Sequence, residues 1–244
     1  MRRGVLCFSL ACIAFAQPVA QEAVATWFPV HAGDKWIYSH ERRDDVGDAL
    51  YRDGRMVGGS LRISRWETEE TVTGAWTVPE GELVGKRVRV TGGSPPPEYR
   101  ADAPDGAFFI RGNCLYASEV EWDAVKHQLM PEFRDALLAG HLSADFCFPL
   151  AAGKTWGAPH FMGWRAPADA KDWKVAGVEV RDRSAPDQGN TFRVISIGPY
   201  LGAGMTAEIR FEKGVGIVRE EDVHHGTVGE ERVRLVRFEP AAPR

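Results

Sequence analysis

The chain lacks the features that mark several large classes of protein. Only four of its 244 residues are cysteine, and its formal net charge is −4. No run of lysine and arginine stands out, which argues against a nucleic-acid-binding protein that works by bulk charge. Hydrophobic residues make up 44% and charged residues 26% of the chain, which excludes collagenous, low-complexity and wholly disordered chains. We therefore expect a globular protein with no nucleic-acid partner.

Motifs of the common catalytic sites are also missing. The sequence has no G-x-S-x-G nucleophile elbow, no H-E-x-x-H metal motif and no D-x-D-x-D-G calcium loop. The glycines at 202 and 204 lack the strand-then-helix context of a dinucleotide loop. We therefore identify no catalytic residue and no cofactor, and a non-enzymatic protein is favoured.

One strand-like segment near the C-terminus carries a candidate metal or acid–base group. Alternate residues of a strand point to the same face, so Glu220, Asp222 and His224 would lie together. Carboxylates and imidazole are ligands of transition metals, although a solvated strand face gives the same pattern without a metal. The alternative function is therefore a hydrolase-like or metal-dependent enzyme that uses carboxylates and His224.

The first twenty residues have the order of a secretory signal peptide. Two arginines precede an apolar segment at 4–16, which is too short to span a bilayer of about 30 Å. Two candidate cleavage sites with small residues lie at or just beyond the end of this segment, the first ending at Ala16 and the second at Ala20. We interpret residues 1–20 as a signal peptide and expect export to the periplasm or the cell exterior. An uncleaved membrane anchor and a lipoprotein signal that ends at Cys12 are the alternatives.

Export makes the two cysteines beyond the signal a candidate disulfide. Cys7 and Cys12 lie in the signal, so Cys114 and Cys147 remain as an even pair in an oxidising compartment. A bond between them would close a loop of about 34 residues and stabilise the fold by roughly 3–4 kcal/mol. Two buried free thiols are the alternative.

A nine-residue motif, F-P-[VL]-x-A-G-x-x-W, occurs at 28–36 and again at 148–156. Proline suits a strand entry, and glycine permits the positive φ of a turn. A tryptophan that follows can plug the end of a sheet. We predict that Trp36 and Trp156 are buried at equivalent strand starts, whereas a pair of ligand-facing tryptophans is the alternative. We interpret 21–244 as one domain with this internal repeat.

Alternation of apolar and charged residues predicts a series of antiparallel strands. It recurs at 36–41, 61–73 and 82–91 and through the C-terminal third, and it is typical of a sheet with one buried face. A capping-box pattern at Ser118 and Glu121 and helical spacing of the apolar residues that follow it predict a helical insertion at about 118–139. The fold class is therefore mainly β with a short helical insertion.

Three short motifs resemble those of exported bacterial β-rich proteins of uncharacterised type. The segment 28–38 is similar to their FPLxxGxxWxY pattern, 77–83 to a PAGxF type and 213–218 to a GVGLV type. The resemblance spans most of the chain beyond the signal. It implies a large curved antiparallel sheet, an open half-barrel similar to periplasmic lipoprotein carriers, and it implies no catalytic residue.

The aromatic content indicates what such a sheet would enclose. Eight tryptophans and twelve phenylalanines exceed what a flat sheet needs, and a curved sheet has a concave face that a helix, side chains or an apolar ligand must fill. Trp156, Phe161, Met162 and Trp164 are candidate ligand-facing residues. A packed core, or the helical insertion seated in the concave face, is the alternative.

These observations favour an exported, non-enzymatic β-protein. Its expected partners are a lipid or other apolar ligand, or a protein of the cell envelope, and a membrane is involved only through the signal peptide. A surface protein that assembles through its sheet edges is a further alternative.

Overall fold

The computed structural model describes residues 24–52, 55–97, 99, 105–117, 120–142, 144–157, 173–179, 191–196, 205–224 and 229–242. The predicted signal peptide lies outside these ranges. Within them, no helix is long and apolar enough to cross a membrane.

The described residues form fourteen strands and one helix of two turns. The strands are β1 (Lys35–Arg52), β2 (Arg55–Val78), β3 (Gly81–Ser94), β4 (Gly106–Arg111), β5 (Cys114–Tyr116), β6 (Trp122–Asp123), β7 (Gln128–Leu129), β8 (Phe146–Cys147), β9 (Thr155–Trp156), β10 (Trp173–Glu179), β11 (Thr191–Ser196), β12 (Met205–Glu212), β13 (Gly216–His224) and β14 (Gly229–Glu239). The helix α1 is Pro131–Leu138, and a helical turn at 24–27 precedes the first strand.

Twelve of the strands form one antiparallel sheet. Their order is β8-β5-β4-β3-β2-β1-β14-β13-β12-β11-β10-β9, so two meanders meet where β1 pairs with β14. The sheet curves until it is nearly closed into a barrel. Its edge strands β8 and β9 are joined by residues 148–154, and the indole of Trp156 donates a hydrogen bond to the carbonyl of Ala144 at 2.9 Å. The predicted curved antiparallel sheet with a short helix is confirmed.

Both copies of the repeated motif form the same turn. In each copy a glycine with positive φ and the residue after it form backbone hydrogen bonds with a buried valine of the neighbouring strand. The residue after the glycine also donates a backbone hydrogen bond that closes a tight turn. The donor–acceptor pairs, all at 2.9 Å, are Gly33 to Val72, Val72 to Asp34 and Asp34 to His31 in the first copy, and Gly153 to Val175, Val175 to Lys154 and Lys154 to Ala151 in the second.

The tryptophan that ends each motif lies in the core. Trp36 is 1% exposed and Trp156 is 6% exposed. Each tryptophan is the second residue of its strand. Each indole N–H donates a hydrogen bond to a backbone carbonyl, and for Trp36 this is the carbonyl of Val215 at 2.6 Å. The predicted burial of the two side chains at equivalent strand starts is confirmed.

The concave face is filled at one end by the residues that precede β1. Val24 and Phe28 are buried, and the ring of Phe28 lies 5.5 Å from Trp36 and 5.0 Å from Phe108. The same ring lies 6.2 Å from Phe211 in the second meander. This segment therefore joins the two halves of the sheet through one aromatic core.

The insertion packs on the convex face of the sheet, and the expectation that it fills the concave face is wrong. Leu83 and Phe109 are opposed in register and point outward, where they pack with Phe133 and Leu137 of α1 in a second, separate core. Their chain neighbours point inward to the main core. Both faces of β3 and β4 are therefore apolar, and each face is buried by its own core.

Only the second half of the insertion is helical. The apolar spacing at Trp122, Val125 and Leu129 predicts a helix, but the chain forms the β6–β7 hairpin there. The carboxylate of Asp123 accepts the backbone N–H groups of Val125 and Lys126, both at 2.9 Å. Such local side-chain bonds compete with helix formation, and Val125 is consequently 89% exposed.

The predicted bond between Cys114 and Cys147 is present. The two residues are opposed in register, so the bond fastens the edge strand β8 to β5. The insertion lies in the loop that the bond closes.

Candidate ligand site on the concave face

The inward-facing side of β1 changes from apolar to polar along its length. Trp36 and Tyr38 are buried, and the side chain of His40 is 11% exposed. Arg42 and Asp44 follow on the same face because alternate residues of a strand share a face. The concave face therefore has an aromatic end, filled by the chain itself, and a polar end.

A row of side chains crosses the concave face where the two ends meet. Directly opposed residues of antiparallel strands share a face and contact each other. The row runs over six neighbouring strands through Ile209, Glu220, Val233, His40, Trp66 and Gly93. It places a carboxyl, an imidazole and an indole side by side.

His40 is held in place by three neighbours. Its ring stacks on Trp66 with 4.7 Å between centroids, and its Nε2 lies 2.8 Å from the hydroxyl of Thr68. Its Nδ1 lies 3.9 Å from a carboxylate oxygen of Glu231. Trp66 also contacts the ring of Tyr99 at 5.3 Å. The imidazole is thus fixed against an aromatic wall, with one nitrogen toward a carboxylate.

Two carboxyls of β13 hold their protons unusually tightly. Burial first, and then the nearby charges of Asp222, Asp145 and Glu231, raise the pKa of Glu220 to about 7 against the opposing effect of Lys86. Burial also raises the pKa of Asp222 to about 6, with a contribution from Glu231. These groups have lost water without gaining enough compensating donors.

Apolar side chains lie on the concave face beside Glu220, which is directly opposed to Val233. Ile217, Val233 and Leu235 are half-buried and pack against the main core. The hydroxyl of Tyr38 donates to the carbonyl of Ile217 at 3.1 Å, and its pKa is raised well above the usual value by burial and by Glu70 and Glu220. The polar end therefore adjoins apolar surface directly.

The structure brings two of the three predicted metal ligands together. Glu220 and Asp222 share the inner face, as the alternation predicts, while the side chain of His224 lies outside the described residues. Among the residues that are described, no three side chains of ligating type are placed to hold a metal ion. His40 and Glu231 come to the site instead, from strands far away in the sequence.

Of the four predicted ligand-facing residues, the structure describes Trp156. Trp156 is in the core at the sheet edge, and Phe161, Met162 and Trp164 lie outside the described residues. Sequence reasoning missed His40 and Trp66, although the aromatic alternation of Trp36, Tyr38 and His40 was a signal that one face of β1 is special.

We expect Glu220→Gln to raise stability at neutral and alkaline pH. The native state holds the Glu220 proton to about pH 7, whereas the usual pKa is 4.5, so it binds more protons than the unfolded chain between these values. The free energy of unfolding therefore falls as the pH rises through this interval. A glutamine amide does not ionise, so its free energy of unfolding does not fall in this interval. Relative to the parent protein, the variant should be more stable by roughly 2–3 kcal/mol above neutrality and little changed in acid.

Denaturant melts of both proteins across this pH range measure the difference. Glu67→Gln, an exposed glutamate on the opposite face of the sheet, serves as the matched control and should leave the profile unchanged. A constant difference between Glu220→Gln and the parent at every pH would contradict the assignment.

No protein-family model and no curated protein matches this chain. Similar solved structures include a "putative lipoprotein" from Parabacteroides distasonis, with 12% identity, a TM-score of 0.35 and coverage of 88% of this chain and 99% of the other. A "putative exported protein" with a YmcC-like fold from Bacteroides fragilis has the same values. A LolA-superfamily protein from Nitrosomonas europaea has 11% identity and a TM-score of 0.27, with 94% of each chain covered. These similarities assign no activity to this chain.

Proposed function

We propose that the protein is an exported, non-enzymatic binding protein whose concave face takes an amphiphilic ligand with an apolar chain and a cationic head. The observation that carries the proposal is the pair of carboxyls of Glu220 and Asp222 on the concave face, whose pKa values burial raises, beside half-buried apolar side chains. Export is supported by the signal-peptide pattern at 1–20 and by the Cys114–Cys147 bond, because disulfides persist in oxidising compartments.

The apolar part of the ligand would cover the side chains of Ile217, Val233 and Leu235. These three lie next to a core that is already packed, so a chain laid on them extends that core. Burial of apolar area contributes about 25 cal/mol per Å².

The head of the ligand would lie at the carboxyls of Glu220, Asp222 and Glu231. A nearby ammonium group favours the ionised form of a carboxyl, and it would offset the burial that now raises the pKa of Glu220 and Asp222. Binding of a cation would therefore release protons. The affinity should rise with pH up to about neutrality, where the carboxyls ionise by themselves.

The test uses two fluorescent probes with the same tail, a dansyl-labelled dodecylamine and a dansyl-labelled dodecanoic acid. We expect the amine to bind more tightly than the acid, and its affinity to increase about tenfold between pH about 5 and about 8. Fluorescence titration of the mature protein measures both constants.

Variants assign the binding to the concave face. Glu220→Gln should weaken binding of the amine and abolish its pH dependence while leaving the acid unaffected, and Glu67→Gln should change neither probe. Equal affinities for the two probes, or loss of amine binding in the control alone, would contradict the proposal.

A further inference from the structure

The convex face carries a row of arginines on four neighbouring strands. Arg193, Arg210, Arg219 and Arg234 are directly opposed in register from β11 to β14. Like charges in opposed positions destabilise a sheet, so the row has an energetic cost. Neighbouring carboxylates reduce this cost for most of its members.

Arg234 is the member that lacks such a partner. Arg193 and Arg210 pair with Glu208 at 2.7 and 3.4 Å, and Arg219 pairs with Glu221 at 2.6 Å. Among the described residues, no carboxylate pairs with the exposed guanidinium of Arg234. The backbone carbonyl of Arg234 accepts a hydrogen bond from the hydroxyl of Ser39.

Arg234 borders a groove of about 650 Å³. Charged side chains dominate its lining, namely Arg43, Arg65, Arg232 and Arg234 against Glu41 and Glu67. Ser39, Gly92 and Gly93 also line it, and their small or absent side chains leave the space open. His40 and Trp66 complete the lining. The charged side chains of the lining belong to the convex face of the sheet, whereas His40 and Trp66 belong to the concave site.

Positive charge is in excess within this groove. Glu41 already serves two arginines, with Arg65 at 2.8 Å and Arg43 at 2.8 Å, and Arg232 pairs with Glu221 outside the lining set at 2.8 Å. Arg234 therefore presents a complete guanidinium fork to the groove. Such forks match the oxygen geometry of phosphate and carboxylate groups.

We propose that this groove is a binding site for a phosphate-type anion, with the guanidinium of Arg234 as its principal contact. Arg43, Arg65 and Arg232 also line the groove, and each of them is paired with a carboxylate. The phosphate belongs either to a small phosphorylated molecule or to a lipid headgroup, since both present the same oxygens. Arg234 and the carboxyl of Glu220 lie on opposite faces of the sheet, so different variants test this proposal and the proposed function.

The experiment compares two probes on the mature protein at low salt. Inorganic pyrophosphate, titrated by calorimetry, represents the free phosphate. Vesicles of equimolar phosphatidylcholine and phosphatidylglycerol, with vesicles of phosphatidylcholine alone as reference, represent the headgroup in a sedimentation assay. Binding of pyrophosphate assigns a free anion, and binding only of the anionic vesicles assigns a lipid. Binding of either probe should weaken with added salt, because exposed charges are screened.

Two variants localise the site. Arg234→Ala should weaken binding of the active probe about tenfold. Gly92→Leu should weaken it by filling the groove without a change of charge, since a Cβ at Gly92 meets only the Glu67 carboxylate, at 3.7 Å.

Arg89→Ala is the matched control, an exposed arginine of β3 opposed to Glu69 and outside the groove. It should bind like the parent. Failure of both probes to bind the parent protein, or equal losses in Arg234→Ala and Arg89→Ala, would overturn the proposal.

Discussion

Replacing Trp36 by alanine is expected to lower the free energy of unfolding by about 3–5 kcal/mol, and Trp156→Ala should have an effect of similar size. Trp36 is 1% exposed and stacks with Phe28 and Phe238, both at 5.5 Å between centroids. Its loss opens a cavity in the aromatic core and leaves the carbonyl of Val215 without its donor. Large buried aromatic residues are costly to truncate because the surroundings relax only in part.

Denaturant melts of the two alanine variants measure this loss. Trp36→Phe serves as a control that keeps an aromatic ring and removes the indole donor, so it should cost clearly less than Trp36→Ala. If instead either alanine variant unfolds like the parent protein and loses binding of an apolar probe, the tryptophan faces a ligand and the core assignment is wrong.

Removal of the Cys114–Cys147 bond is expected to cost about 3–4 kcal/mol, as the closure entropy of a loop of this length predicts. The bond joins β5 to the edge strand β8, which has only two residues. The loop it closes holds α1 and the β6–β7 hairpin. Without the bond, the edge of the sheet depends on a short ladder and on the core contacts of Phe146 and Phe148.

Melts of the Cys114→Ser/Cys147→Ser double variant measure the cost, and addition of a reductant to the parent protein should reproduce it. The reductant should have no effect on the double variant. Two freely alkylated thiols in the non-reduced parent protein would contradict the bond itself.

The predictable parts of the fold are those that local patterns determine. Alternation of apolar and charged residues predicts strands, and the repeated Pro, Gly and Trp positions predict two strand entries with buried tryptophans. The insertion shows the limit of such patterns. Its spacing at 122–129 suits a helix, but the carboxylate of Asp123 stabilises a turn instead.

The candidate site could be predicted only in part, because it depends on register between distant strands. The alternation in β13 places Glu220 and Asp222 on one face, which the sequence predicts. His40 and Trp66 join them through the pairing of β1 with β14 and with β2. No local signal gives that pairing, and none shows that the segment 24–30 fills the other end of the concave face.

The central claim is that the concave face binds the ligand, and an NMR titration of the eight tryptophan indole signals with the dansyl-labelled dodecylamine tests it most directly. The account predicts that the Trp66 signal shifts with the probe, since Trp66 lies beside His40 at the site. The Trp36 and Trp156 signals should stay in place because those side chains pack within the main aromatic core, away from the polar end of the concave face. Saturable shifts of Trp36 or Trp156 with no change at Trp66 would contradict the account.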